Sequence, residues 1–349
     1  MQQLGREIVK RICLVVQSYY LRDPRVRREA EALVGAGYEV DVIGLRDAKA
    51  KFKETVNGVN ITRLPIARRR ATVWRYMQEY STFFVVVSLI LVYRLLIGRR
   101  YDLIHVNNMP DFLAFSTLLP KLFGSKVLLD VHDPMAEVFM SKYGISSNSL
   151  ITRLLRWQER ISLRYCDHVL TVSEVMRQRL KRPAGYTPLS VVLNVPDESL
   201  FRRPEADMAR RKSEDRFTLL YTGTFSKRYG LAVAIEAAAR LRRDIPELRL
   251  LLVGEGDDLP VLREMVQRLD LGSVVEFRSA VPLSAIPDLI MESDVGISPH
   301  VDDSFMNLVF STKVAEFVNL GLPTVVSRTK TIERYFDEDM VVYCEAENV

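Results

Sequence analysis

The sequence has few of the residues that mark disulfide, zinc or hydrolase chemistry. Among its 349 residues are three cysteines, Cys13, Cys166 and Cys344, which lie far apart and form no C-x-x-C pair. Three widely spaced cysteines predict buried thiols in a reducing compartment rather than a disulfide framework. The sequence also has no H-E-x-x-H, no Walker A loop and no G-x-S-x-G. These absences argue against a zincin, a P-loop nucleotidase and an α/β-hydrolase.

Glycine is missing where a dinucleotide-binding enzyme needs it. The first predicted strand, 12–17, is followed by Ser18-Tyr19-Tyr20, with no glycine. Gly254-Glu255-Gly256 follows a later predicted strand but lacks the third glycine at the required spacing. Nicotinamide and flavin enzymes use G-x-G-x-x-G so that the backbone can approach the pyrophosphate. The sequence therefore predicts neither an oxidoreductase nor a bound redox cofactor.

Metal-ligand clusters and nucleic-acid motifs are also lacking. The pair Asp302-Asp303 and the run 337–339 are typical of exposed acidic loops rather than cation sites. No aromatic–basic RNA platform or zinc finger is present. We therefore expect no metal and no nucleic-acid partner.

Positive charge is concentrated around one long apolar run. The net charge is +5, and the apolar run 81–98 is preceded by Arg68–Arg70 and Arg75 and followed by Arg99-Arg100. Arg94 interrupts the run, which leaves three interpretations: a spanning helix, an interfacial helix or a buried core helix. The flanking arginines favour the interfacial helix over the spanning one. We expect 68–100 to contact a membrane surface peripherally from the cytoplasmic side, since residues 1–10 have no apolar signal-peptide core.

Buried-strand runs alternate with amphipathic helical segments along the whole chain. This alternation predicts doubly wound parallel sheets, and 349 residues are enough for two domains. The run 202–216 is almost wholly charged and predicts a linker. The predicted fold is α/β, with two Rossmann-like parallel-sheet domains, 1–201 and 217–349, facing a cleft. The chain ends soon after the predicted strand 340–344, where such a domain usually has a further helix.

Ligands of open α/β sheets bind at the carboxyl ends of strands, which directs attention to two loops. The predicted strand 126–131 ends before His132, which can bond a sugar hydroxyl or polarise a leaving group. Another strand ends before Gly223-Thr224, with Lys227 and Arg228 close behind. Gly223 lets a ligand approach the backbone, and the two cations can neutralise a diphosphate. The alternatives are a histidine satisfied by local backbone and a solvated basic turn.

The run from Ser311 to Val326 is the most informative segment. Ser311 and Thr312 are good N-cap residues for a helix over about 313–320, whose N-terminus can bind an anion. Lys313 sits in the first turn, where the helix dipole disfavours a cation, so we interpret it as a phosphate ligand. Glu316, one turn further, can accept hydrogen bonds from ribose hydroxyls. The alternative is an ordinary capped helix.

Eight segments, in this order and spacing, resemble the retaining glycosyltransferases of family 4, which have the GT-B fold. The segments are DPRVRREAEALVGAGYEVDVI (23–43), YDLIHVNN (101–108), LLDVHD (128–133), CDHVLTVSE (166–174), VVLNVPD (191–197), YTGTFSKRYGL (221–231), LLLVGEG (250–256) and STKVAEFVNLGLPTVV (311–326).

The resemblance implies a nucleotide-sugar donor, UDP- or GDP-linked, in the C-terminal half. It implies a glycan or lipid-linked acceptor in the N-terminal half. Transfer would proceed with retention and without a metal, and the leaving diphosphate would help to deprotonate the acceptor.

Residue by residue, His132 resembles the histidine near the transferred sugar, and Glu316 the second glutamate of E-x7-E. Lys227 and Arg228 resemble the diphosphate ligands, and the N–H groups around Ser311 and Thr312 would hold the distal phosphate. The chain departs from the pattern at the first glutamate, which is Leu308 here, and at the lysine before the glycine, which is Tyr229. The glycine-rich acceptor loop is absent.

Two other functions remain open from the sequence. One is a nucleotide-sugar epimerase or hydrolase of the same architecture, which would turn over its donor without an acceptor. The other is a truncated, non-catalytic homologue that serves as the partner of an active protein, which Leu308 and the early end of the chain favour.

Overall fold

The computed structural model describes residues 10–48, 50–66, 73–202 and 216–348. The chain divides into two compact units, Met1–Val192 and Leu193–Val349. Residues 203–215 of the predicted linker and the predicted basic run Arg68–Arg70 lie outside the described residues. Phe201 is buried in the core of unit 2, and its carbonyl accepts a hydrogen bond from Asn319 Nδ2. The segment before the charged run therefore packs with unit 2.

Unit 1 is built on an eight-stranded sheet in the order β3-β4-β2-β1-β5-β6-β7-β8. Its strands are β1 Arg11–Val15, β2 Glu39–Leu45, β3 Lys53–Val56, β4 Val59–Leu64, β5 Leu103–Asn107, β6 Lys126–Val131, β7 His168–Thr171 and β8 Leu189–Val191. All neighbours are parallel except β3 and β4, which form an antiparallel hairpin at the edge. Chain order reverses between β1 and β5, and the carboxyl ends of these strands are where a ligand crevice is expected.

Unit 1 has six α-helices among its described residues. They are α1 Pro24–Gly35, α2 Val73–Leu96, α3 Leu118–Leu122, α4 Met135–Tyr143, α5 Leu150–Tyr165 and α6 Glu174–Ala184. The helix predicted over 111–123 is a 3₁₀ segment, Asp111–Thr117, followed by α3. Ser173 caps α6, because its hydroxyl oxygen accepts a hydrogen bond from the Met176 N–H at 3.0 Å.

The long apolar run lies on α2, a surface helix with one packed face. Tyr80, Phe83 and Leu91 are buried, whereas Leu89 and Tyr93 on the opposite face are more than 60% exposed. The segment Arg75–Leu96 is long and apolar enough to cross a membrane by length and composition, and 28% of its most apolar window is buried. A helix enclosed on all sides would be mostly buried, so the interpretation of this run as a buried core helix is wrong.

The buried arginine of α2 ties the helix to the sheet. Arg94 donates to Tyr101 Oη at 2.6 Å and to Thr62 Oγ1 on β4 at 2.8 Å. Its guanidinium also lies 3.5 Å from the Asp41 carboxylate on β2. A buried cation with this many partners anchors the end of the helix, which accounts for an arginine inside an otherwise apolar segment.

Unit 2 has a six-stranded, wholly parallel sheet in the order β11-β10-β9-β12-β13-β14. Its strands are β9 Phe217–Thr222, β10 Leu248–Val253, β11 Val275–Arg278, β12 Val295–Ser298, β13 Thr324–Ser327 and β14 Val342–Cys344. Its helices are α7 Leu231–Leu241, α8 Leu259–Arg268, α9 Ile286–Met291, α10 Thr312–Asn319 and α11 Lys330–Tyr335. Chain order reverses between β9 and β12, and this switch point is where a ligand crevice is expected.

The cysteines are free thiols, as their spacing predicts. Cys13 and Cys166 are buried, and burial raises the pKa of each to about 12. Cys344 is only half-buried, so the prediction of full burial is wrong for this residue, because β14 is the edge strand. Neither buried thiol has the lowered pKa of a nucleophile.

Candidate active site

A cavity of about 490 Å³ opens at the switch point of unit 2. The ends of β9 and β10, the chain before α9 and the first turns of α10 form its walls. Its polar or glycine lining residues are Thr222, Gly223, Thr224, Gly254, Glu255, Lys313 and Glu316. Four of the predicted donor-site residues therefore meet in one cavity: Gly223, Thr224, Lys313 and Glu316.

Close approach between two loops explains the glycines of this cavity. Gly223 and Gly254 have φ of 136° and 151°, a region that side chains rarely enter. A Cβ on Gly254 would lie 1.8 Å from the Gly223 carbonyl oxygen, and one on Gly256 would lie 2.0 Å from the Phe225 oxygen. The G-E-G sequence thus serves loop packing, which is why it resembles only part of a dinucleotide fingerprint.

Gly254→Ala is expected to lower the free energy of unfolding by about 2 kcal/mol or more, since the new methyl group meets a backbone carbonyl in a strained conformation. Gly272→Ala is a matched control, because a Cβ there has nothing within 4 Å. The control should change stability by less than about 1 kcal/mol. Urea unfolding of both variants measures the difference, and equal stabilities would contradict the packing role of Gly254.

Lys313 is the central cation of the cavity. Its Nζ is buried and, among the described residues, has no hydrogen-bond partner. It lies 3.8 Å from the ring centroid of Tyr221 and 4.7 Å from that of Tyr229. Burial lowers the pKa of Lys313 to about 7, although Glu316 opposes this shift. An ammonium group held by two ring faces and lacking an acceptor is well suited to receive an anionic ligand.

His300 completes the surroundings of Lys313. Its ring is buried, its centroid lies 5.6 Å from that of Tyr229, and its Nε2 is 3.0 Å from Ser298 Oγ. Burial, followed by the charge of Lys313, lowers the pKa of His300 to about 3, so the imidazole is neutral at pH 7. The sequence patterns did not identify Tyr221, Tyr229 or His300 as neighbours of Lys313.

The start of α10 is built partly as predicted. Glu316 is buried on the cavity wall. Ser311 occupies the N-cap position, but the predicted side-chain cap is wrong, since its Oγ makes no capping bond and is buried without a partner among the described residues. Thr312 Oγ1 donates to the Asn194 carbonyl at 3.3 Å. The hydroxyl of Ser311 is thus not used by the helix itself.

Lys227 and Arg228 do not line the cavity. They lie in a 3₁₀ turn, Lys227–Tyr229, where Lys227 is exposed. The Arg228 guanidinium stacks 5.0 Å from the centroid of the Phe305 ring. Their assigned contact with a diphosphate stays a prediction, and Lys313 is the cation that the structure places in the cavity.

His132 lies in unit 1, directly after β6. Its Nε2 is 2.6 Å from Asp130 Oδ2, and its backbone N–H donates to Asn108 Oδ1 at 3.0 Å. Burial raises the pKa of Asp130, but His132 and His105 outweigh this effect and hold that pKa well below its usual range. Asp130 is therefore an ionised carboxylate, which can only accept, so the Nε2–H of His132 donates to it. Asp130 was not among the residues that the sequence patterns singled out.

Two further side chains, His105 and Glu29, lie close to Asp130. His105 Nε2 lies 3.6 Å from Asp130 Oδ2 and 3.8 Å from Glu29 Oε2. The ligand-type atoms of Glu29, His105 and Asp130 fall within 4.8 Å of one another, which is compact enough for a metal ion. The sequence indicates a structural role for His105 and does not bring these residues together, because they come from α1, β5 and β6.

Two family profiles match consecutive parts of the chain. Residues 23–197 match the profile described as "Glycosyl transferase 4-like domain", and residues 203–347 match "Glycosyl transferases group 1". The chain belongs to the glycosyltransferase family that these two profiles describe. The family places the two parallel sheets described above in the GT-B fold.

Solved structures agree with this fold. Sucrose-phosphate synthase from Thermosynechococcus elongatus superposes with a TM-score of 0.77 at 20% identity, covering 97% of this chain and 86% of that one. Anabaena Alr3699/HepE in complex with UDP-glucose gives a TM-score of 0.68 at 14% identity, covering 97% and 86%. At these identities the likeness establishes the fold of this glycosyltransferase-family chain.

Several curated relatives match this chain over only part of their own length. A phosphatidylinositol N-acetylglucosaminyltransferase subunit from Arabidopsis thaliana is 23% identical over 78% of this chain and 58% of its own length. The human protein of the same name is 20% identical over 96% of this chain and 65% of its own length. The glycosyltransferase-family chain thus spans less than two thirds of these relatives. Putative glycosyltransferase EpsD of Bacillus subtilis is 24% identical, covering 80% and 70%.

Proposed function

We propose that the protein transfers a sugar from a UDP- or GDP-sugar to a lipid-linked or polysaccharide acceptor, with retention of configuration and without a metal. The observation that carries the proposal is Lys313, a buried cation without an acceptor among the described residues, in a cavity at the switch point of unit 2. A nucleoside diphosphate supplies the anion that this site lacks.

The cavity residues fit the parts of a nucleotide diphosphate. Lys313 neutralises the diphosphate, and Gly223 and Thr224 let it approach the backbone at the end of β9. Glu316 accepts hydrogen bonds from the ribose hydroxyls. The hydroxyl of Ser311, unpartnered within the described chain, and the first N–H groups of α10 bind the distal phosphate. Lys227 and Arg228 are proposed as outer cations, since neither lines the cavity.

The similar proteins favour a UDP-sugar as the donor and a lipid-linked acceptor. Anabaena HepE has been solved with UDP and with UDP-glucose, which supports a UDP-sugar as the donor here. Two relatives are named as phosphatidylinositol N-acetylglucosaminyltransferase subunits, which supports a lipid-linked acceptor. A polysaccharide acceptor remains the second choice within the same proposal.

His132 is proposed to act at the transferred sugar. Its Nε2–H is engaged by Asp130, so Nδ1 is the nitrogen left to accept a hydrogen bond from a sugar hydroxyl. The leaving diphosphate takes the acceptor proton on the same face, which gives retention. This mechanism predicts that chelators leave transfer unchanged, and loss of activity with EDTA would assign a role to the Glu29, His105 and Asp130 cluster.

A peripheral membrane position on the cytoplasmic side is proposed for the segment 68–100. Of its described part, the outer face of the second half of α2 presents Val85, Leu89, Tyr93 and Leu96 to solvent, each more than half exposed. Arg99 is held by Asp41 and Glu39 at the end of this segment, so the free positive charge there is smaller than the sequence indicates.

Thermal stabilisation by UDP, GDP and ADP tests the donor site. One nucleotide should raise the melting temperature, corresponding to about 2.7 kcal/mol at a hundredfold excess over its dissociation constant. Glu316→Ala should lose most of this shift, whereas Glu236→Ala, an exposed glutamate on α7, should keep it. Absence of a shift with all three nucleotides would contradict the proposal and favour a non-catalytic partner protein.

Product analysis separates transfer from the other enzyme class. A transferase releases its nucleotide quickly only when acceptor is present, whereas an epimerase or hydrolase turns over the donor alone. If the donor turns over as fast without an acceptor as with an acceptor, the protein is an epimerase or hydrolase and the proposed transfer reaction is wrong.

A further inference from the structure

Helix α5 presents its apolar side to solvent and buries much of its polar side. Leu150, Leu154 and Trp157 lie on the outer face, exposed by 79%, 60% and 57%. On the opposite face Thr152, Glu159 and Ser162 are buried, together with two leucines. An ordinary surface helix has the reverse arrangement, so the apolar outer face of α5 points to a partner.

The inward polar face fixes this orientation. Glu159 accepts a hydrogen bond from Arg179 of α6 at 2.6 Å, and Arg179 also donates to Glu137 of α4 at 2.7 Å. Thr152 Oγ1 donates to the Ser146 carbonyl at 2.8 Å. Rotating α5 to bury its leucines would break these buried bonds and leave a charge unpaired, which costs several kcal/mol. The apolar outer face is therefore a stable feature of unit 1.

One flank of the outer face carries four arginines, Arg153, Arg156, Arg160 and Arg164. At 100° per residue they fall on the same side of the apolar stripe, and all four are exposed. Within the part of the chain that the structure describes, Arg153 and Arg160 have no carboxylate partner. The single acid of α5 is Glu159, which is buried and paired, so the exposed charges of the helix are all positive.

A groove of about 830 Å³ runs along this flank. Arg179 and Arg182 of α6 join the four arginines of α5 in its lining, and Trp157 forms its rim. The same groove contains two carboxylates, of Glu137 and Glu159, and both are bonded to Arg179. Six guanidinium groups against two carboxylates leave a strong excess of positive charge, which attracts phosphate-bearing groups.

We propose that the outer face of α5 docks onto a bilayer that contains anionic phospholipid. Leu150, Leu154, Trp157 and the half-buried Ile161 enter the boundary between headgroups and acyl chains. The arginines of the flank and groove bind the lipid phosphates. Apolar residues with a tryptophan beside a row of arginines are the composition of interfacial helices. This surface lies outside the segment 68–100 and does not depend on the proposed transfer reaction.

A lipid surface fits better than a nucleic acid, because both the charge and the apolar stripe must be used. Nucleic acid would satisfy the arginines but leave three large apolar side chains in water.

The aromatic rings Phe84 and Phe112 (5.8 Å) and Phe115 and Tyr165 (4.9 Å) connect α2 to α5 through the segment Asp111–Thr117. Aromatic packing therefore supports the inner side of α5.

Tryptophan fluorescence of the full chain gives the decisive readout. The chain has two tryptophans, Trp74 and Trp157, so Trp74→Phe leaves Trp157 as the single reporter. Vesicles of phosphatidylcholine with phosphatidylglycerol should shift its emission to the blue, and brominated lipids should quench it. Pure phosphatidylcholine should give a much weaker response, and salt should reverse the binding.

Vesicle sedimentation with matched variants locates the surface. Leu154→Gln with Trp157→Gln, and separately Arg153→Gln with Arg160→Gln, should each lower binding roughly tenfold or more. All four side chains are exposed, so circular dichroism and melting temperature should stay unchanged. Leu89→Gln with Tyr93→Gln tests α2 in the same way. Binding that is lost only with the α2 pair would overturn the proposal in favour of 68–100.

A free phosphate compound is the competing source of the same chemistry. A groove built for a small soluble ligand would bind inorganic phosphate or glycerol 3-phosphate at millimolar concentration. A melting-temperature increase with either, lost in the Arg153→Gln and Arg160→Gln variant and accompanied by no vesicle binding, would overturn lipid docking. Nucleotide binding enters none of these measurements, so failure of the donor site leaves this test intact.

Discussion

Lys313→Met is expected to abolish nucleotide-diphosphate binding while making the unliganded chain more stable. The Nζ of Lys313 is buried over two tyrosine rings without a hydrogen-bond acceptor among the described residues. An unsatisfied buried donor costs about 1–3 kcal/mol, and methionine fills a similar volume without that cost. The variant should therefore melt at a higher temperature than the parent, yet show no further stabilisation by UDP.

The pKa of Lys313 adds a pH dependence whose sign is fixed. Its pKa in the folded chain is about 7, below the usual 10.5. Between these two values the unfolded chain binds more protons, so this group makes the free energy of unfolding rise with pH. A diphosphate requires the protonated form, so nucleotide affinity should fall by up to about tenfold per pH unit above 7. Titration calorimetry of the parent chain on both sides of pH 7 measures this slope, and an affinity that does not change with pH would contradict the role of Lys313.

Lys227→Met is the matched control, because it removes an exposed lysine from the neighbouring loop. We expect it to weaken UDP binding far less than Lys313→Met and to leave the unliganded stability unchanged. If Lys227→Met weakens UDP binding more than Lys313→Met does, the cation that binds the diphosphate is Lys227, as the family resemblance implies. In that case the cavity assignment would be wrong.

The parallel strands were predictable because both faces of each are buried. The run Lys126–Val131 has the bounds that the sequence predicts. Continuous apolar composition stops where the strand leaves the core, so both ends are visible in the sequence. The edge hairpin of β3 and β4 was missed, since β3 has little burial. Its turn, Asn57-Gly58 with positive φ at both residues, was the available signal.

The donor cavity was predictable in part. Gly223, Lys313 and Glu316 follow strand ends and a helix start, and this topology brings them together. The surroundings of Lys313 were not predictable, because Tyr221, Tyr229 and His300 come from β9, a turn and the chain after β12. Lys227 and Arg228 were overvalued for a related reason. The sequence shows that a basic residue follows a glycine loop, but it does not show the direction in which that side chain points.

The partner of His132 could have been found from strand periodicity. Residues two apart in an extended segment project to the same side, and Asp130 and His132 stand in this relation across the end of β6. A carboxylate two residues before a candidate histidine is thus a readable signal for a hydrogen-bonded pair. His105 contributes less to this inference, because its proximity to Asp130 depends on the pairing of β5 with β6.

Asp130→Asn is expected to lower kcat for sugar transfer by about 10²–10⁴-fold while leaving UDP binding intact. The ionised carboxylate accepts the Nε2–H of His132 at 2.6 Å and so leaves Nδ1 for the proposed contact with the sugar. An asparagine amide can donate to Nε2 instead, which would place the proton on Nδ1 and remove the acceptor. Losses of this size are typical when a histidine at a reacting centre has the wrong tautomer.

A double-variant cycle distinguishes positioning from a structural role. If Asp130 acts through His132, Asp130→Asn should cost almost nothing further in the His132→Gln background, and kcat should fall in each single variant with little change in KM. His105→Gln is the control, since His105 also contacts Asp130 but leaves the 2.6 Å bond in place. The assay is UDP release from the donor that turns over fastest in a panel of UDP-sugars, with acceptor present. Additive losses in the double variant, or an equal loss in His105→Gln, would show that Asp130 does not act through His132.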